Sequence, residues 1–349
     1  MSTYARISEL PLTIEGHELE RREREVSSEF TRVTTTVRLR GVGEDGLGED
    51  VTYTPEDHDR FAGPGSELPL AGDWTVDSFS RHLDGLDFWP EPPQMEAFHD
   101  YRRWAFESSG LDLALRQSGT SLSEALGRQP RPVRFVVSMR LGEPSSIDPV
   151  RRLLDLYPGT MFKLDAVADW TPELVAELVD LGAVDSIDLK GQYSGTVVDN
   201  PPSPELYRLV AEGFPEAWLE DPALTDETEP VLRPYRDRIT WDAPIHSIED
   251  IESRPFPPEM TNIKPSRFGS LRRLFDAYDY CAERGIGMYG GGQFELGVGR
   301  GQIQYLASLF HPDTPNDVAP AGYNFAPPEP GLPTSPLEPA TTPTGFRWG

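Results

Sequence analysis

A parallel barrel of about eight strand–helix units, with an N-terminal α+β segment set apart from it, is the fold class the sequence predicts. Three observations carry that expectation. From about residue 131 onward, apolar strand-like runs alternate with helical stretches. Five of those runs close on charged residues, at Lys163, Lys190, Glu220, Asp242 and Lys264, as buried parallel strands do where they reach a loop-bearing rim. Two of the helices open alike, with a hydroxyl N-cap followed by Pro and Glu: Thr171-Pro172-Glu173 and Ser203-Pro204-Glu205.

In chain order, residues 1–130 differ in kind from the rest. Arg32 to Arg40 alternates like an antiparallel strand, Gly41 to Asp50 reads as a Gly-rich acidic turn region, and Trp104 to Leu126 is helical around a break near Gly119. This is an α+β capping domain. Val133 to Met139 is the first barrel strand and Asp148 to Tyr157 the first amphipathic helix. Strands follow at Met161–Asp165, Val184–Lys190, Ala217–Glu220, Arg238–Asp242 and Thr261–Lys264, the last three ending 22 residues apart. The helix Ser270 to Arg284 stops at Gly285, a natural C′ residue. Ile286 to Tyr289 then runs into Gly290-Gly291-Gly292, Gly301 to Phe310 is helical, and Asp317 to Pro320 is a last short strand. Residues 131–322 thus make a TIM-like (β/α) barrel whose polar strand ends converge on one pocket. Ala326 to Gly349 is Pro-rich, yet Phe346 and Trp348 predict a docked end, so residues 323–349 are expected to pack back on the cap.

The formal charge of -26 argues against nucleic acid and anionic membrane surfaces as partners, because such a field repels phosphate. No run approaches the length of a membrane span, and Met1 to Leu12 has no signal-type apolar core. The lone Cys281 suits a reducing compartment and sits in a helix as a small core residue. Together these predict a soluble cytoplasmic enzyme acting on a small molecule, with homo-oligomerisation left open.

Of 32 basic residues only three are lysines, Lys163, Lys190 and Lys264, and all three close strands. Arg cannot be deprotonated in a protein, whereas Lys can be tuned into a neutral amine that accepts a proton. Codon bias toward Arg accounts for the depletion, though not for where the three remain. Between them, Asp188, Glu220 and Asp242 end three successive strands. Converging carboxylates without His or Cys suit a hard cation such as Mg²⁺ better than Zn²⁺.

In order and spacing these motifs resemble the enolase superfamily over nearly the whole chain. Lys163-Leu164-Asp165 stands where that family has Lys-x-Lys on its second barrel strand. Asp188, Glu220 within Glu220-Asp221-Pro222, and Asp242 match its three metal ligands. Asn262-Ile263-Lys264-Pro265-Ser266-Arg267 matches the sixth-strand motif of the muconate-lactonizing and o-succinylbenzoate-synthase branch, and Gly290 to Gly299, containing Glu295, its seventh-strand segment. Gly46-Leu47-Gly48-Glu49 resembles the cap's Gly-x-Gly-Glu turn, and Ser109 to Gly127 the helix leading into the barrel. The resemblance implies Mg²⁺, a small carboxylate substrate, and a lysine that removes the proton beside the carboxylate to give an enediolate. Isomerases and lyases follow from it: cycloisomerase, epimerase or dehydratase-like. Lys264 is then the base, while Lys163 tunes the field or binds the substrate carboxylate.

Two departures from the family pattern stand out. Asp165 replaces the second Lys of strand two, and Lys190 stands where Asn is usual on strand three. The pair either forms a salt bridge or supplies the acid/base on the second face of the substrate. His246, Arg267, Arg300 and His17 are weaker candidates, and Trp241 and Trp218 read as core packing. Two other functions fit the same residues: a lysine Schiff-base aldolase, and a non-catalytic enolase-fold protein.

Overall fold

The computed structural model describes residues 2–27, 30–62, 68–89, 91–193, 200–324 and 330–348. Its N-terminal part holds β1 (Pro11–Ile14), β2 (Gly16–Ser27), β3 (Phe30–Gly41) and β4 (Glu44–Asp50), then α1 (Pro55–Phe61), β5 (Gly72–Thr75), α2 (Val76–Leu83), α3 (Ala97–Gln117) and α4 (Leu122–Leu126). Strands β2, β3 and β4 form an antiparallel sheet, and β1 pairs with β5. The α3–α4 break falls at Gly119, whose φ of 64° is left-handed, and Ser121 with Glu124 forms a capping box that restarts the helix.

The stretch expected as a turn region is mostly strand. Only residues 42–43 turn; Glu44 to Asp50 pairs with β3 from Gly41↔Glu44 to Thr35↔Asp50. The glycines serve close approach rather than turning. A Cβ at Gly46 would lie 2.1 Å from the Ser109 carbonyl oxygen, and one at Gly48 would lie 1.9 Å from that of Ala105, so α3 can rest directly on β4.

The second part alternates β6 (Val136–Met139), α5 (Asp148–Leu156), β7 (Met161–Asp165), α6 (Pro172–Leu181), β8 (Val184–Asp188), α7 (Pro204–Gly213), β9 (Trp218–Glu220), α8 (Glu229–Leu232), β10 (Ile239–Trp241), α9 (Ile248–Glu252), β11 (Met260–Ile263), α10 (Pro265–Phe268), α11 (Leu271–Arg284), β12 (Gly287–Gly290) and α12 (Val298–Phe310). The seven strands lie in sequence order and pair in parallel. Thr171 and Ser203 cap α6 and α7 through their hydroxyls, each with Pro in the first turn, and α11 ends at left-handed Gly285.

The eighth stave is shorter than the expected strand at 317–320. Asn316 bridges Phe135 and Asp317 bridges Gly291. The Val136 N–H donates to the Asn316 carbonyl (2.9 Å) and the Asp317 N–H to that of Gly290 (2.8 Å), which closes β12 onto β6. Pro315 directly precedes this pair and Pro320 follows three residues after Asp317, and proline has no N–H with which to extend a ladder.

Along the strands, Phe162, Leu164, Ile187, Leu219 and Ile263 are buried on the side opposite Lys163, Asp165 and Asp188, as the two-residue period requires. The N-terminal part is clamped to the barrel by Glu49. Its carboxylate accepts from the N–H groups of Leu296 (2.7 Å), Gly297 (2.9 Å) and Gly299 (2.8 Å), the unpaired donors at the start of α12. Near the C-terminus Phe346 is buried against Trp104 and Tyr305, with its N–H and the Arg347 guanidinium both on Asp112.

Candidate active site

Parallel register lines the charged strand ends up in one row. Asp165 pairs with Asp188 and Asp188 with Glu220, while Asp242 directly follows β10. All four are buried, as are Lys163 and Lys264. So many sealed charges require partners, since an unpaired buried ion is costly.

The partners divide the site in two. On the β7–β8 side, Lys163 Nζ contacts Glu220 and lies 3.2 Å from Asp188 Oδ2. Lys190 Nζ lies 2.6 Å from the same Asp188 oxygen and 3.5 Å from Asp165 Oδ1, and Arg140 approaches Asp165 at 3.3 Å. Burial opposes the charge on Lys163 and Lys190, but the carboxylates around each outweigh it and hold both ammonium groups well above the usual lysine value. Burial likewise opposes ionisation of Asp188, yet Lys190 and Lys163 bring its carboxyl below the ordinary range.

On the β10–β11 side, Lys264 Nζ donates to Asp242 Oδ2 (2.8 Å) and Arg267 to Asp242 Oδ1 (2.7 Å). Here burial prevails over Asp242, and Arg267 and Lys163 add to it, so the Lys264 pKa falls below the usual lysine value. Tyr193 also reaches Asp242, at 3.4 Å. The structure thus brings Lys163, Asp165, Asp188, Lys190, Glu220, Asp242 and Lys264 into one connected cluster.

Besides Arg140 and Tyr193, three further participants have no counterpart among the residues singled out from sequence. Asp221 follows Glu220 and by strand alternation faces away, but its φ of 51° is left-handed and breaks that alternation. Its oxygens accept from the N–H groups of Asp242 and Ala243, both at 2.8 Å, and burial, reinforced by Asp242 and Asp188, pushes its carboxyl up to about 7. Tyr289 donates to Glu220 Oε2 (2.6 Å) from β12. Gln293 links Tyr53 (3.1 Å) to Tyr101 (2.9 Å) and so ties the barrel rim to the cap. Asp221 had a signal in the Glu-Asp-Pro motif; the other two had none.

Of the weaker candidates, Arg267 joins the site through Asp242 and the others lie elsewhere. His246 bonds the Ala243 carbonyl in its own loop, Arg300 pairs with Glu295 at 3.0 Å, and His17 sits in β2 opposite Leu39. Trp241 is buried core, beside Phe256.

Asp188, Glu220 and Asp221 each offer a carboxylate oxygen within 4.8 Å of the others, and this buried trio could hold a metal ion. Its donors are oxygen only, which fits a hard divalent cation. Asp242, the third ligand expected from strand order, is engaged with Lys264 and Arg267.

A family model described as "Domain of unknown function (DUF8230) C-terminal domain" matches residues 129–325, and its N-terminal counterpart matches residues 5–125. The chain belongs to the DUF8230 family. This DUF8230 chain is similar to an o-succinylbenzoate synthase of Geobacillus stearothermophilus, 24% identical over 62% of this chain and 58% of the relative. It is also similar to an N-succinylamino acid racemase of Amycolatopsis sp, 28% identical over 63% and 61%. The matches therefore span about three-fifths of those relatives' length. Among solved structures, muconate cycloisomerase from Pseudomonas fluorescens superposes with a TM-score of 0.64 at 18% identity, over 88% of this chain and 87% of that one. A member of the enolase superfamily from Enterococcus faecalis V583 gives 0.68 at 18% identity, over 97% and 95%. The fold is that of the enolase superfamily, as the motif order implied. Among the described residues no helix is long and apolar enough to cross a membrane.

Proposed function

We propose that this chain abstracts a proton from the carbon next to a substrate carboxylate, through an enediolate, as an Mg²⁺-dependent isomerase or lyase of the cytoplasm. The observation that carries this reading is the placement of Lys264, a buried amine with a lowered pKa, in the same strand-end cluster as the acidic trio. A general base must be neutral near working pH and within reach of its proton, and burial moves Lys264 toward the first condition. Mg²⁺ held at this cluster would stabilise the second negative charge that proton removal places on the carboxylate. Asp188 and Glu220 are its ligands in either arrangement; Asp221 completes the converging trio and Asp242 the strand-end set.

Lys264 takes the α-proton, and Arg267 with Asp242 fixes where that amine sits. Lys163, within the cluster beside Glu220 and Asp188, is the cation for a substrate carboxylate. Asp165 and Lys190 serve the opposite face, where a returning proton or a leaving group has to be handled. In this reading residues 1–130 are the cap, 131–322 the barrel, and 323–349 pack back on the cap. The names of the similar proteins, one forming o-succinylbenzoate, one racemising N-succinylamino acids and one cycloisomerising muconate, support a small carboxylate as substrate.

Solvent-deuterium exchange across a carboxylic-acid library with Mg²⁺ tests the proposal, since it detects proton removal before any product is known. Exchange that Lys264→Ala lowers by about 10²-fold or more, and that chelation abolishes, is expected. Exchange that either change leaves at the wild-type rate rejects the assignment. A borohydride-trapped adduct at Lys264 without any metal requirement would favour the aldolase instead.

A further inference from the structure

Every oxygen of the acidic trio already has a partner from the chain itself. Asp188 Oδ1 accepts from the Lys190 N–H (3.0 Å), and Asp188 Oδ2 lies 2.6 Å from Lys190 Nζ and 3.2 Å from Lys163 Nζ. Glu220 Oε1 contacts Lys163 and Oε2 accepts from Tyr289, while Asp221 is taken up by two backbone N–H groups. Among the described residues Lys163 is the one cation that bridges two members of the trio, and it is sealed from solvent, its side chain 3% exposed against 16% for Lys190. An ammonium in that position satisfies the same lone pairs that a divalent ion would use, and it repels a second cation brought to them.

We propose that Lys163 is an internal counter-ion of the Asp188–Glu220 pair, which a divalent cation must displace in order to bind. The proposal rests on the reading that this cluster holds such a cation. It gives Lys163 two positions. In one it bridges Glu220 and Asp188; in the other, with the cation bound, its ammonium no longer holds them. Metal affinity in this chain is then set by how firmly Lys163 holds the pair, and Lys190, which of the two touches only Asp188 and divides its charge with Asp165, competes less.

Direct binding tests this without any assay of turnover. Mg²⁺ is titrated calorimetrically, and Mn²⁺ by its free-ion electron paramagnetic resonance signal, into wild type, Lys163→Met and Lys190→Met. Lys163→Met is expected to bind both ions about 10-fold tighter than wild type, a gain of about 1.4 kcal/mol, and Lys190→Met to gain less. The metal-dependent rise in melting temperature should be largest for Lys163→Met, because its metal-free form has lost a buried counter-charge. A folded Lys163→Met that binds no tighter than wild type, or more weakly, overturns the proposal while leaving the metal reading intact. Failure of all three proteins to bind either ion removes the metal reading and the proposal with it. If Lys163→Met does not fold, Lys163→Gln is held to the same criterion.

Discussion

The two sides of the site treat equally buried lysines in opposite ways. Among the described residues Lys264 pairs with one carboxylate, Asp242, and shares it with Arg267, so burial prevails and its pKa falls. Lys163 meets Glu220 and Asp188, and Lys190 meets Asp188 and Asp165, so the carboxylates prevail and both stay firmly charged. Burial alone therefore does not make a lysine into a base. The balance of carboxylates and cations around it decides which amine can lose its proton, and here that balance singles out Lys264.

The largest effect that would break this contrast belongs to Lys264. Lys264→Ala should lower the α-proton exchange rate by about 10²–10⁴-fold, whereas the same change at Lys190 should cost far less, both read by deuterium incorporation. Next comes Asp242→Asn, which leaves Lys264 and Arg267 without their shared counter-charge. Urea unfolding of the metal-free protein should show a loss of about 3–5 kcal/mol, the range for breaking a buried ion pair from one side. The pH profile sharpens the comparison further. Because the base has to be neutral, exchange should fall about tenfold per pH unit below the folded pKa of Lys264. That acid limb should lie below the ordinary lysine value of 10.5, since burial lowers the group. A limb at or above that value would remove the asymmetry between the two sides. The smallest effect concerns Asp165 and Lys190, 3.5 Å apart. A double-mutant cycle with Asp165→Asn and Lys190→Gln should give a coupling of about 1 kcal/mol in stability, and zero coupling would mean that the two do not act as a pair.

Much of this was legible in the chain itself, for reasons that particular residues make clear. Lys163, Asp188, Glu220, Asp242 and Lys264 announce themselves because a charge closing an apolar run has only the rim of a parallel sheet to occupy. Glu49 could be noticed within Gly46-Leu47-Gly48-Glu49, but its task of capping α12, almost 250 residues later, could not. The same glycines suggested a turn, and only α3 lying against β4 explains them as strand positions. Tyr289 and Gln293 look like ordinary strand and loop residues until closure of the barrel brings them to Glu220 and to Tyr53.

By itself, the sequence determined the alternation of strands and helices, the caps that start those helices, and which side chains reach the rim. Those features depend on local periodicity and on hydrogen bonds within a few residues. Tertiary structure alone decided that Asp221 turns inward on a left-handed backbone, that Lys163 bridges two members of the acidic trio while Lys190 bridges Asp188 to Asp165, and that Asn316 and Asp317 suffice to close the barrel. Each of these depends on distances between strands far apart in sequence. Electrostatic balance at a buried site is set by which charges lie within a few ångströms, and no local pattern encodes that.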